Sequence, residues 1–188
     1  MKNSIRDISA IFSTSRMVAE YTERFYLPSA RRWKDFNANQ MERAREMADW
    51  KESLSDRWSE VAVGKVDVVS RKDLHVGSDM QVRCQVKLGS IDPSDVVVEL
   101  YQGPVDSDGN IQNGTAVPME YVGAAKEEHC SIFNGLIPCQ HTGLCGFAVR
   151  VMPSNPFLSN KYETGLIRWE EASSQADLRK NKAVQEAT

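Results

Sequence analysis

Apolar positions follow two different periods along the chain, and the change falls near residue 60. Over the first 58 residues the spacing is helical, with no Gly in the stretch and Pro28 as its only Pro. Ser13, Thr14 and Ser15 offer N-caps for a helix whose Met17, Val18, Tyr21 and Phe25 share one stripe. Pro28 is expected to end that helix or to start the next. A second helix then carries Trp33, Phe36, Ala44, Met47, Trp50, Leu54 and Trp58, and the 47, 50, 54, 58 series forms another stripe. Both stripes hold large apolar side chains and require a surface to bury against.

From Val61 the period becomes two. Val61, Val63, Val66, Val68 and Val69 predict a first strand bulged at Gly64, and Met80, Val82, Cys84, Val86 and Leu88 a half-buried second. Val96 to Tyr101 gives a third after the turn Ile91-Asp92-Pro93-Ser94. Asp106 to Asn110 with Asn113-Gly114 forms a polar hairpin loop. Val117–Val122, Cys130–Leu136, Phe147–Met152 and Gly165–Trp169 complete seven strands. The lead-in His141 to Arg150 is similar to that of the sixth strand of immunoglobulin-like sandwiches, although the usual corner tyrosine is missing. The expected class is therefore α+β: a helical segment over 1–58, then a seven-stranded antiparallel immunoglobulin-like β-sandwich over 59–170. Residues 171–188 are polar without apolar periodicity and are expected to be a disordered tail.

A formal net charge of −3 gives no reason to invoke nucleic acid or membrane as a partner. Arg31, Arg32 and Lys34 cluster, which reads as a solvated helix face. No apolar run approaches the roughly 20 residues needed to span a bilayer, and Met1 to Asp7 lacks a signal-peptide core, so the expected location is the cytoplasm. Cys84, Cys130, Cys139 and Cys145 then read as reduced thiols.

Particular residues carry a resemblance. Met1-Lys2-Asn3-Ser4-Ile5, Phe12-Ser13-Thr14-Ser15-Arg16-Met17-Val18, Glu20-Tyr21 and Phe25-Tyr26-Leu27-Pro28 resemble the closing helices of glycogen and α-glucan phosphorylases. Gly146 to Pro153, with Gly165-Leu166-Ile167-Arg168-Trp169, is similar to the C-terminal extension of the shorter bacterial and archaeal branch of that family. The resemblance implies a parent enzyme that cleaves α-1,4-glucan with inorganic phosphate, releasing glucose 1-phosphate. It also implies pyridoxal phosphate on a lysine, its phosphate acting in proton relay. That lysine belongs to a Gly-Thr/Ser-Gly-x-x-Asn-Met-Lys pattern absent here; Asn113-Gly114-Thr115 is the nearest string, with no Met-Lys after it. No catalytic, cofactor-binding or metal residue is therefore assigned, and the chain reads as a non-catalytic region with a structural, docking role. The implied partner is the catalytic body of the phosphorylase, in cis or as a separate chain, with self-association as a further candidate.

Other constellations have duller readings. His129, Cys130, Cys139, His141 and Cys145 offer zinc ligands or a Cys–His pair, but their spacing is irregular, and Cys130 and Cys145 fall where strands place small apolar residues inside. A disulfide from Cys84 to Cys130, Cys139 or Cys145 is disfavoured in a reducing compartment. Asp106, Asp108, Asn110 and Asn113 lack the order of a calcium loop. Trp33, Trp50, Trp58 and Trp169 read as core or docking residues. Tyr101, Tyr121, Phe157 and Tyr162 are the candidates for a rival function, a stand-alone sandwich that binds α-glucan.

Overall fold

A computed structural model of the chain describes residues 13–69, 77–139 and 145–171. The chain divides into two compact units, residues 1–51 and 52–188. In the first, Ser13 caps α1 (Thr14–Tyr21), its hydroxyl accepting from the Arg16 amide at 3.2 Å. The helical backbone does not stop at Pro28. It passes through a wide turn, Thr22–Tyr26, in which the Leu27 amide reaches back to the Thr22 carbonyl, and continues as α2 (Leu27–Asn37). Proline has no amide hydrogen, and the widened turn just before it lets the helix absorb that missing donor.

The expected second helix is in fact two. Asn39, Gln40 and Met41 all have positive φ (49°, 56° and 63°), which breaks the chain between α2 and α3 (Glu42–Arg57). The segment carries neither Gly nor Pro, so only Asn39 hinted at the left-handed backbone.

Among its described residues the second unit holds eight antiparallel strands in two four-stranded sheets. They are β1 (Ala62–Val68), β2 (Asp79–Lys87), β3 (Val96–Pro104), β4 (Thr115–Pro118), β5 (Glu120–Ala124), β6 (Cys130–Pro138), β7 (Cys145–Pro153) and β8 (Arg168–Trp169). One sheet runs β1-β2-β6-β5 and the other β4-β3-β7-β8. The expected bulge is present: β1 slips against β2 between Val63 and Val66. Val82, Cys84, Val86 and Leu88 face inward as their alternation predicts.

Seven strands became eight because Val117–Val122 is not one strand. It splits at Met119: β4 pairs with β3, and β5 with β6 in the other sheet. Met119 makes the crossing, its amide donating to the Val98 carbonyl at 2.8 Å and its side chain 7% exposed in the core. Around it lie Val82, Val86, Val98, Leu100, Phe133, Val149 and Val151, all buried, each contributing on the order of 1.5–3 kcal/mol. The sheets approach closely at Gly135, where a β-carbon would stand 2.5 Å from Leu100 Cδ1 and 3.0 Å from Met119 Cγ.

The last turns of α3 belong to this unit. Leu54 and Trp58 are buried, Arg57 donates to the Ser90 carbonyl at 3.0 Å, and Glu60 accepts from the Ser90 amide at 3.1 Å. Gly89 permits this tie: its φ is +60°, and any β-carbon there would strike the Glu60 side chain.

Candidate functional site

β3 and β7 carry a single charged residue each. Glu99 and Arg150 are direct cross-strand partners, and Trp169 of β8 stands opposite Arg150 on its other side. All three lie on the face of the β4-β3-β7-β8 sheet turned away from Val98 and Leu100. The connection between β7 and β8 folds back over this face. It is held by the Ser154 amide donating to the Asp95 carbonyl at 2.8 Å and by Asn160 Oδ1 accepting from the Tyr162 amide at 2.9 Å.

Arg150 Nε and Nη2 donate to Glu99 Oε2 at 2.9 and 2.7 Å, and Lys161 Nζ reaches Glu99 Oε1 and Oε2 at 3.0 and 3.2 Å. Glu99 and Arg150 are only 7% and 6% exposed. Three rings surround the guanidinium: its carbon lies 5.2 Å from the Tyr101 centroid, 5.3 Å from Trp169 and 5.9 Å from Tyr162. Tyr101 and Trp169 also meet edge to face at 5.8 Å. Tyr162 and Trp169 remain 56% and 42% exposed. The arrangement is a rigid aromatic surface over a paired buried charge, which suits binding of a ring-faced ligand. A groove of about 280 Å³ is lined by Gln81, Val117, Pro118, Glu120, Asn134, Gly135 and Leu136, where the chain crosses between sheets.

The remaining sequence candidates are scattered. Cys130 opens β6 and Cys139 follows its end, nine residues on and so roughly 30 Å apart at about 3.3 Å per residue. His129 sits beside the exposed Glu128, and Cys145 opens β7 in the other sheet; His141, with most of the lead-in 141–144, lies outside the described residues. Cys130 and Cys145 are not inward-facing as expected, being half-buried and exposed, because they sit at strand ends rather than over the core. Cys84 is the core cysteine; burial, with a smaller contribution from the Glu170 charge, pushes its thiol up to about 12. All four cysteines are free.

Asp106 Oδ1 accepts from the Asn110 and Asp108 amides and Oδ2 from the Gln112 side chain, bonds that hold the hairpin and lower its pKa. Tyr121 packs against Phe133 at 5.6 Å on the other sheet, and Phe157 is half-buried in the β7–β8 connection. Trp58 is buried, Trp50 half-buried and Trp33 70% exposed. Arg31 and Lys34 are exposed, while Arg32 stacks on Phe36 at 5.2 Å. Tyr101, Tyr162 and Trp169 are thus brought together. Glu99, Arg150 and Lys161 were not singled out beforehand, although one opposite charge inside each of two apolar strands is a usable signal.

Residues 58–171 match the family described as the glycogen phosphorylase C-terminal domain, well over half of the chain, and the chain belongs to that family. Among individual proteins, it is similar to the glycogen phosphorylase of Mycobacterium bovis, 29% identical over 89% of this chain and 19% of that protein. It is likewise similar to the maltodextrin phosphorylase of Thermococcus litoralis, 28% identical over 90% of this chain and 20% of that protein. The chain therefore spans about a fifth of the length of these curated relatives. The solution structure of the carbohydrate binding module of the muscle glycogen-targeting subunit of Protein Phosphatase-1 aligns with 64% of this chain and 86% of its own. The identity there is 19% and the TM-score 0.34, too loose a likeness to carry an argument.

Proposed function

We propose that this chain is the non-catalytic C-terminal region of an α-glucan phosphorylase, working in the cytoplasm, whose helices dock on the catalytic body in cis or as a separate chain. The observation that carries the reading is the set of large apolar side chains left open on this helical stretch, the stripe Met17, Val18, Tyr21 and Phe25 with Tyr26, Leu27 and Trp33, between 46% and 70% exposed. A face this apolar is an interaction surface. The parent reaction, phosphorolysis of α-1,4-glucan to glucose 1-phosphate with pyridoxal phosphate on a lysine, would belong to the catalytic body. Leaving that cofactor to the catalytic body is supported by Lys161 being held by Glu99, Lys65 by Asp67 at 2.8 Å, and by a groove lined without a lysine. The strand order also supports an immunoglobulin-like sandwich enlarged by one strand, since β1-β2-β6-β5 facing β4-β3-β7-β8 is the constant-domain order with β4 added. No helix among the described residues is long and apolar enough to cross a membrane.

The test is gel filtration of the purified chain, alone and mixed with a phosphorylase catalytic body lacking this region. A stable complex, weakened by Val18→Glu and Phe25→Glu, is expected, as is self-association of the chain on its own. A strict monomer that ignores the catalytic body would sink the proposal, as would glucose 1-phosphate production by the chain with added pyridoxal phosphate. A second reading, α-glucan binding by the sandwich, is favoured by the exposed rings gathered on one sheet.

A further inference from the structure

Resting on that second reading, we propose that Trp169 and Tyr162 form the stacking platform of an α-1,4-glucan subsite on the outer face of the β4-β3-β7-β8 sheet, with Arg150 as the positioning residue beneath it. The guanidinium lies 5.3 Å from the Trp169 ring and 5.9 Å from the Tyr162 ring, with the Lys161 ammonium 5.3 Å over Tyr162 as well, yet the two rings stay 42% and 56% exposed and so leave aromatic surface for a ligand. Arg150 is itself pinned by Glu99, so the rings sit on a fixed support and little side-chain freedom remains to be lost on binding. One ring comes from a strand and the other from the overlying connection, both within 6 Å of the same atom, close enough for adjacent sugars of one chain.

Charge selects the ligand class. Glu99 receives both Arg150 and Lys161, so an anion or a cation would have to break a formed ion pair to enter. An uncharged ligand with apolar C–H faces and a hydroxyl rim breaks nothing. A pyranose has that form, its ring face laid on the aromatic face. Hydroxyl partners stand close by: the Tyr162 hydroxyl, and the Lys161 ammonium, which lies over the Tyr162 ring on a side chain 40% exposed. Tyr121 lies on the other sheet, set edge to face with Phe133 at 5.6 Å.

The test is affinity electrophoresis of the whole chain through glycogen, with maltoheptaose titrations by calorimetry. Trp169→Ala and Tyr162→Ala are each expected to weaken binding by roughly tenfold, the scale of a lost ring contact. Trp169→Phe should retain most of the affinity, and Tyr121→Ala should match the parent. Thermal melts identify any variant that has lost its fold, and Tyr162→Ala, on an exposed connection, keeps the test decisive if Trp169→Ala does not fold. Parent-like retardation of folded Tyr162→Ala, or of folded Trp169→Ala, would overturn the subsite while leaving glucan binding standing. A parent chain that is not retarded at all would overturn both.

Discussion

Replacing Glu99 by Gln tests the logic of the buried cluster. The carboxylate is 7% exposed and is the acceptor for both Arg150 and Lys161. Removing its charge leaves Arg150, 6% exposed, as an uncompensated buried cation, a change that costs about 3–5 kcal/mol. One effect reduces this, and a second adds little. The three surrounding rings retain up to about 2 kcal/mol of cation–π attraction. Lys161, with 40% of its side chain exposed, can turn to water, so losing its pair costs only about 0–1 kcal/mol. The expected net is roughly 3 kcal/mol, or about 12 °C in the sandwich melting transition at about 4 °C per kcal/mol. Arg150→Met should cost less, because Glu99 keeps Lys161. The double variant Glu99→Gln/Arg150→Met should be more stable than Glu99→Gln alone, since no charge is stranded. Calorimetry of the whole chain, with amide exchange on β3 and β7 to assign the transition, measures all three. A Glu99→Gln melt within about 0.5 kcal/mol of the parent, or a double variant worse than the single, would refute the reasoning.

Gly135→Ala should destabilise the sandwich by about 1–3 kcal/mol in urea titrations, because the added carbon must displace Leu100 or Met119 in a packed core. A maleimide reagent should modify exposed Cys145 first and spare Cys84 until the fold opens, read by mass spectrometry of peptides; burial keeps the Cys84 thiol protonated, near 12. Glu170 is raised by burial, outweighing its bond from the Val149 amide, so its folded pKa exceeds the unfolded one. Its protonated form is the one the fold favours: the contribution is full below the unfolded pKa and lost as pH rises through the folded one. Glu170→Gln should therefore be more stable than the parent at pH 7, with the gap closing as both are acidified below the carboxylate range; a constant gap across that range would count against it.

The periods of apolar residues revealed both halves of the architecture, because Val82, Cys84, Val86 and Leu88 obey the strand repeat that burial on one face imposes. The Ser13 cap was legible for the same local reason. The crossing at Met119 was not, since Val117–Val122 alternates acceptably as one strand and the split depends on which sheet each half pairs with. The site was half legible. Tyr101 and Tyr162 were candidates as aromatics, but Trp169 was read as a core or docking residue, and the Glu99–Arg150 pair joins residues 51 positions apart through strand register. No local pattern carries that register.

The helical unit poses the opposite problem from the sandwich. Neither α1, α2 nor the wide turn between them buries a single residue. The stretch Thr14–Asn37 is helical throughout, and the stability of a helix in a protein comes mostly from packing an apolar face rather than from propensity. Here the apolar face that would normally stabilise such helices is the exposed one, Met17, Val18, Tyr21, Phe25 and Trp33. Their amides should therefore exchange with deuterium much faster than those of β3 and β7 in the chain alone. Adding the catalytic body should slow exchange over Thr14–Asn37 selectively, because each large side chain it covers returns on the order of 1.5–3 kcal/mol to helix stability. Exchange in α1 and α2 as slow as in β3 without any partner would mean that these helices are stable without docking, and the reason given for their exposed stripe would fail.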